Sequence, residues 1–131
     1  MSFDTILRAI LEESGGIGVA LMGTDGVPVA QLQSQSQNQN PTGGAGAGPL
    51  SEDVGIAGAE FVRILEEIRK VADALGGGEV TETVISLSHF SLIFRAIDED
   101  LFVVLAMPVD GNLGKARYLI RRHQLAIRQE L

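Results

Sequence analysis

Cysteine is absent from the 131 residues of this chain, so disulfide bonds and thiolate chemistry are excluded. Tryptophan is absent too, and the chain has one tyrosine and two histidines. The histidines have no cysteine partners and no spacing typical of a metal site, so we expect no bound metal. We interpret His89 and His123 as ordinary structural or surface residues.

Long apolar runs are also missing. The longest, residues 101–109, is far too short to span a bilayer. The N-terminal residues 1–14 have an acid at position 4 and no basic lead into an apolar run, unlike a secretory signal. We therefore expect a cytoplasmic protein without membrane insertion, folded as a single domain over residues 1–131, because this length can bury one sizeable core.

Acidic residues outnumber basic ones, and the formal net charge is −7. Residues 1–110 carry five Lys or Arg against sixteen Asp or Glu, a net −11, while residues 111–131 carry five against one, a net +4. Affinity for nucleic acid comes from clustered cations, so the acidic body argues against nucleic-acid binding. The basic face of the last segment, which includes Arg117, Arg121, Arg122 and Arg128, is expected to be a solvated helix surface, with an acidic partner as the alternative.

Residues 54–75 carry the clearest pattern in the chain. Their apolar side chains recur at steps of three and four, which is the spacing of one face of an α-helix. These residues are Val54, Ala57, Phe61, Ile64, Ile68, Val71 and Leu75, and Gly58, Leu65 and Ala72 widen the stripe. A helix this apolar needs more than one small sheet to cover it, so we expect it to face a partner as well as the core. For any single residue, burial in the core is the simpler alternative.

The remaining segments predict two further helices and five strands. An N-terminal helix ends at Gly15-Gly16, a hairpin turns at Asp25-Gly26, and a last helix places Leu113, Ala116, Ile120, Ile127 and Leu131 on its apolar face. The predicted strands span residues 17–22, 27–32, 80–88, 90–97 and 101–107. The order α-β-β-α-β-β-β-α predicts an α+β fold, with a five-stranded antiparallel sheet and helices on both of its faces. Strand 101–107 is apolar on both faces and should be central, and Pro28 should lie on an edge.

Residues 33–50 have a different composition, rich in Gln, Ser and Asn and then in Gly. They cannot bury enough apolar surface to offset their ordering entropy, so we expect a flexible loop insertion whose length leaves room for a functional role. Its glycine run lacks the Gly-Lys-Ser/Thr ending of a phosphate loop, which favours a linker. Ser51-Glu52-Asp53 is expected to cap the following helix.

Catalytic chemistry has no support in the sequence. No local motif links a serine to either histidine, so a nucleophile, a base and an orienting group cannot be proposed together. Asp98-Glu99-Asp100 lacks the spaced oxygens of a calcium loop and is better explained as a charged turn. We therefore expect no enzymatic activity and no cofactor.

Two segments, GIGVALMGTDGVPVAQ and LFVVLAMPVDGNLGKARYLIRR, together resemble the Roadblock (dynein light chain roadblock-type) family, near its bacterial gliding-motility Mgl-type branch. The resemblance covers nearly the whole chain outside residues 33–50. It implies the Roadblock/profilin-like layering of helices and sheet. It also implies a non-catalytic domain that dimerises through its third strand, here about 80–88, and its middle helix.

The same resemblance implies a Ras-like small GTPase as the partner, whose GTP hydrolysis is accelerated without an arginine finger from the regulator. We expect a dimeric regulator or scaffold, formed with itself or with a paralogous Roadblock chain. The expected GTPase contacts are Glu60, Arg63, Glu67 and Lys70, and the expected dimer contacts are Phe61, Ile64, Ile68 and Val84. The alternatives are a structural light-chain-like adaptor that leaves GTPase activity unaffected, and a ligand-sensing domain or enzyme of similar α/β layering.

Overall fold

The computed structural model describes residues 2–34 and 54–131, and within them it contains three helices and five strands in the predicted order. The helices are α1 (Phe3–Ser14), α2 (Val54–Ala74) and α3 (Leu113–Gln129). The strands are β1 (Gly18–Gly23), β2 (Pro28–Gln33), β3 (Glu82–Ser86), β4 (Phe90–Ala96) and β5 (Leu101–Pro108). Gln33 ends β2 rather than opening a loop, while the rest of the predicted insertion after Ser34, and the predicted cap at 51–53, lie outside the described residues.

Local sequence determines where α1 and α3 begin. The Ser2 hydroxyl accepts a hydrogen bond from the Thr5 N–H at 3.3 Å, and the Asn112 side chain accepts one from the Lys115 N–H at 3.0 Å. Each side-chain oxygen satisfies a backbone donor that the first helical turn leaves unpaired. Gly15 closes α1 at a φ of +75°, a conformation that favours glycine.

The sheet has the order β2-β1-β5-β4-β3, and every neighbouring pair is antiparallel. As predicted, β5 is central and is buried from Phe102 to Met107. The predicted position of Pro28 on an edge is also confirmed, because β2 is one edge of the sheet. The other edge is β3, which is shorter than the predicted span of 80–88.

Two turns at the same end of the sheet have the chemistry predicted for them. In the β1–β2 hairpin, Gly26 adopts a φ of +89°, and the Asp25 carboxylate accepts a hydrogen bond from the Val27 N–H at 3.0 Å. In the β4–β5 turn, the Asp98 carboxylate accepts hydrogen bonds from the N–H groups of Asp100 and Leu101. The acidic cluster is therefore a charged turn.

The helices lie on both faces of the sheet and bury two separate cores. On one face, α1 and α3 pack against side chains that include Val19, Leu21, Ile93, Val103, Leu105 and Met107. On the other face, α2 packs against Ala20, Met22, Leu92, Phe94, Phe102, Val104 and Ala106. Leu131 does not extend the apolar face of α3 as predicted, because the helix ends at Gln129 and leaves Leu131 exposed. No helix within the described ranges has both the length and the apolar character needed to cross a bilayer.

Candidate functional site

Helix α2 is only partly covered by the sheet. Val54 and Gly58 are buried, and Phe61, Val62 and Leu65 are partly buried against the sheet. Further along the predicted stripe, Ile64, Val71 and Leu75 are 49%, 57% and 79% exposed, and Ile68 is half-buried. We call Ile64, Ile68, Val71 and Leu75 the outer apolar flank. Within the described residues, it is the part of the stripe that stays exposed or only half-buried.

The outer apolar flank faces the β4–β3 half of the sheet. On one side, α2 lies next to the β1–β2 hairpin. Ala59 is so close to Gly26 that a Cβ added to this glycine would be 3.8 Å from the Ala59 Cβ. On the other side, the Phe61 ring packs against Phe94 of β4, with ring centroids 5.7 Å apart. Ile64 lies one turn beyond Phe61 on that same side of the helix, so the flank is on the side of α2 turned toward β4 rather than toward the hairpin.

Strand β3, the neighbour of β4, presents an open edge. The Leu87 N–H donates to the Phe90 carbonyl at 2.9 Å, and the Ala96 N–H donates to the Thr81 carbonyl at 3.1 Å. Backbone groups of successive residues point to opposite sides of a strand, so the odd-numbered residues of β3 face β4. The N–H and C=O groups of Glu82, Val84 and Ser86 therefore point away from the sheet, where no other described strand lies. Such an edge is a template for pairing with another chain.

The register also places the Val84 side chain. Val84 is opposite Ile93, which belongs to the core beneath α1 and α3, and directly paired residues share one face of a sheet. The Val84 side chain therefore lies on the α1–α3 face, opposite to the α2 face that carries Phe61, Ile64 and Ile68. Of the four predicted dimer contacts, three share one side of α2, and Val84 contributes an outward-facing backbone at the sheet edge.

The four predicted GTPase contacts are brought together by α2. Glu60, Arg63, Glu67 and Lys70 are all exposed and form one row along the side of the helix turned away from the sheet. Lys70 Nζ lies 3.5 Å from Glu67 Oε1, but both side chains are well exposed, so this pair adds little stability. We call this row the outer charged ridge.

Glu82 forms an ion-pair network that sequence reasoning missed. Its carboxylate accepts hydrogen bonds from Arg117 Nε of α3 at 2.5 Å and from Arg95 Nη1 of β4 at 3.3 Å. Arg95 Nε also donates to Gln124 Oε1 of α3 at 2.9 Å. Arg117 is therefore not simply part of a solvated surface, as predicted, but ties α3 to the edge strand. No local signal could reveal this, since Glu82 and Arg117 lie 35 residues apart in the sequence.

The two histidines are not brought together. His89 is exposed between β3 and β4, while His123 lies on α3, half-buried, with its Nε2 atom buried and without a hydrogen-bond partner in the described part of the chain. No group of three or more His, Asp or Glu side chains in that part of the chain could hold a metal ion.

This layering, with two helices beneath the sheet and a half-covered helix above it, is that of a Roadblock-type α+β domain. No family model and no curated protein matches the sequence, but solved structures do. MglC from Myxococcus xanthus is 30% identical over 100% of both chains, with a TM-score of 0.67. The gliding protein MglB from Thermus thermophilus is 19% identical over 97% of this chain and 86% of that one, with a TM-score of 0.79. A Roadblock/LC7 domain from Streptomyces avermitilis is 12% identical over 98% of this chain and 97% of that one, with a TM-score of 0.77. With MglC as a relative at 30% identity over the whole chain, the chain belongs to the Roadblock/LC7 family, and the fold that it shares with MglB and the Streptomyces domain confirms the predicted fold.

Proposed function

We propose that this chain is a self-associating, non-catalytic regulator or scaffold of a Ras-like small GTPase. The observation that carries the proposal is the exposed outer apolar flank on the β4 side of α2, in a sheet whose strand β3 has an open edge. Exposed apolar surface next to an unpaired strand is typical of a protein-interaction site. A similar structure, described as MglB with tetrameric arrangement, supports self-association, with 19% identity over 97% of this chain and 85% of that one and a TM-score of 0.79.

In this proposal a second copy pairs with β3 through the outward backbone groups of Glu82, Val84 and Ser86. The two sheets then become one, and each α2 lies beside the α2 of the partner across the joined β3 edges. The apolar flanks bury each other, which removes the largest apolar surface of α2 from water. The two outer charged ridges remain in solvent on the same side of the joined sheet.

The outer charged ridges are the surface that we assign to the GTPase. Each ridge alternates acidic and basic side chains, an arrangement that selects a partner by charge complementarity more than by total affinity. The nucleotide and the groups that hydrolyse it would belong to the GTPase. The contribution of this chain is to hold the GTPase in one arrangement.

Affinity capture with nucleotide control tests the proposal. The tagged chain is incubated with lysate of the source organism in GDP and, separately, in a non-hydrolysable GTP analogue, and the bound proteins are identified by mass spectrometry. We expect a small GTPase to be retained mainly with the GTP analogue. The double variant Arg63→Glu/Lys70→Glu should lose that GTPase, whereas Arg8→Glu, an exposed change on α1 on the opposite face of the sheet, should keep it.

Recovery of a large protein that is not a GTPase, equally in both nucleotides, would contradict the proposal and favour the light-chain-like adaptor. If the GTPase is recovered, a single-turnover hydrolysis assay separates the two forms of the proposal. A regulator raises the hydrolysis rate of the purified GTPase, and a scaffold leaves it unchanged.

A further inference from the structure

We propose that the outward face of α3 is a second docking surface, which binds an acidic amphipathic helix of a partner protein. Two large apolar side chains mark this face, since Tyr118 is 51% exposed and Leu125 is 63% exposed. They are seven residues apart, so they lie on the same side of the helix. That side is opposite to the buried residues Ala116, Ile120 and Ile127.

Cations border the apolar pair on both sides. Helical periodicity places Arg121 and Arg128 on one side of the Tyr118–Leu125 line, and Lys115 and Arg122 on the other. All four side chains are exposed, and α3 contains no acidic residue from Leu113 to Gln129. Among the described residues no ion pair joins any of the four to a carboxylate, whereas Arg117 is engaged by Glu82. The result is a concentrated positive surface on a chain of net charge −7.

The chemistry of this face points to a helix that carries carboxylates beside an apolar stripe. Arginine guanidinium groups bind carboxylates in a bidentate manner, and tyrosine and arginine are enriched among the residues that dominate binding energy at interfaces. Seven residues of helix rise about 10 Å, so Tyr118 and Leu125 match the spacing of one heptad in a partner helix. Glutamates that flank the partner's apolar stripe would then face the bordering cations.

A membrane surface fits this face less well. Two apolar side chains bury little area compared with the continuous apolar face of an interfacial helix. An anionic bilayer would also repel residues 1–110, which carry a net charge of −11. Since α3 and α2 lie on opposite faces of the sheet, the α3 surface stays open when the outer charged ridge of α2 is covered, so this second partner would not compete with the GTPase.

The fluorescence of Tyr118 reports on this surface directly, because it is the only tyrosine and the chain has no tryptophan. The probe is a synthetic three-heptad peptide without aromatic residues, with leucine at every seventh position and glutamate at the flanking positions. We expect a saturable change in tyrosine emission and an affinity that falls as salt screens the charges. The same peptide with glutamine in place of glutamate should not bind.

Variants are measured by the anisotropy of a fluorescein-labelled form of the peptide, so that Tyr118 itself can be replaced. Arg121→Glu/Arg122→Glu and Tyr118→Ser/Leu125→Ser should each weaken binding at least tenfold, while Arg8→Glu on α1 should leave it unchanged. All replaced side chains are exposed, and an unaltered urea midpoint confirms that each variant is folded. Absence of peptide binding, equal binding by the double variants, or binding only to vesicles of equal parts phosphatidylcholine and phosphatidylserine would overturn the proposal.

Discussion

Glu82 joins three elements that are distant in the sequence. Its carboxylate holds β3 to β4 through Arg95 and to α3 through Arg117. Exposed ion pairs contribute little, but the side chains of Glu82 and Arg95 are only 12% and 19% exposed, so water screens this pair less. Removing the carboxylate charge would leave the Arg95 guanidinium partly buried without a counter-charge.

We therefore expect Glu82→Gln to lower the free energy of unfolding by about 1–2 kcal/mol, since one charged partner of a part-buried network is lost. Urea denaturation measures the change. The matched control is Glu79→Gln, an exposed acid three residues earlier, which should leave the midpoint unaltered. Equal midpoints for the two variants would show that the network does not stabilise β3.

Gly58 allows α2 to approach the sheet closely. A Cβ at this position would overlap Met22 Sδ and lie 3.3 Å from Val104 Cγ1. We expect Gly58→Ala to destabilise the fold by roughly 1–3 kcal/mol, because overpacking outweighs the better helix propensity of alanine. Gly114→Ala in the first turn of α3 should be neutral or stabilising in the same thermal melts, since its Cβ would meet only Asn112 Oδ1 at 3.5 Å. Equal effects of the two variants would refute this explanation.

At the scale of elements, helix α2 separates what the sequence could predict from what it could not. Periodicity predicted its bounds to within one residue, because the 3.6-residue repeat is a local property. Which residues of the stripe the sheet would cover depends on where α2 lies over β4, and that is set by packing such as the Phe61–Phe94 contact. The sequence identified Ile64 as an interaction candidate. It could not show that Ile64 would be exposed, because exposure depends on this packing.

Two exposed isoleucines of α2, Ile64 and Ile56, allow a controlled test of the outer apolar flank. Ile64 and Ile56 are 49% and 51% exposed on the same helix, but only Ile64 lies on the flank beside β4. We expect Ile64→Asp to weaken self-association at least tenfold, because a buried carboxylate at the interface would lack a partner. Ile56→Asp should leave association unchanged. Sedimentation velocity over a dilution series measures both, and equal dissociation constants would contradict the assignment.

The register of strand β3 is another feature that could not be predicted from the sequence. The alternation of residues 80–88 predicted a strand. The face of the sheet on which the Val84 side chain lies follows from its pairing with Ile93, and a register shift of one residue would move that side chain to the other face. Likewise, the sequence could not reveal the pairing of Arg117 with Glu82, because the contact exists only once α3 packs beside the edge.

Proline substitution tests the open edge of β3. Val84→Pro removes an N–H that points away from the sheet, so we expect self-association to be lost while the monomer stays folded. Thr83→Pro removes an N–H that faces β4 and should destabilise the monomer itself, as a shifted thermal transition would show. If Val84→Pro associates normally, the edge strand does not form the interface.

At the scale of the whole molecule, the sheet separates two kinds of surface. Its α2 face carries an apolar flank and a ridge of mixed charge, while its α1–α3 face carries the cations of α3 around Tyr118 and Leu125. The fold was predictable because each element carries its own periodic signal and the order of elements allows few arrangements. The separation of the two surfaces was not predictable, since it depends on which face of the sheet each helix covers.

Sedimentation equilibrium of the purified chain is the most direct test of the central claim that a second copy completes the α2–β3 surface. One chain has a mass of 13.9 kDa, and we predict twice that mass at micromolar concentration, with Ile64→Asp and Val84→Pro reduced to a single chain. A mass of one chain at every concentration, or a dimer that both variants leave intact, would contradict the account.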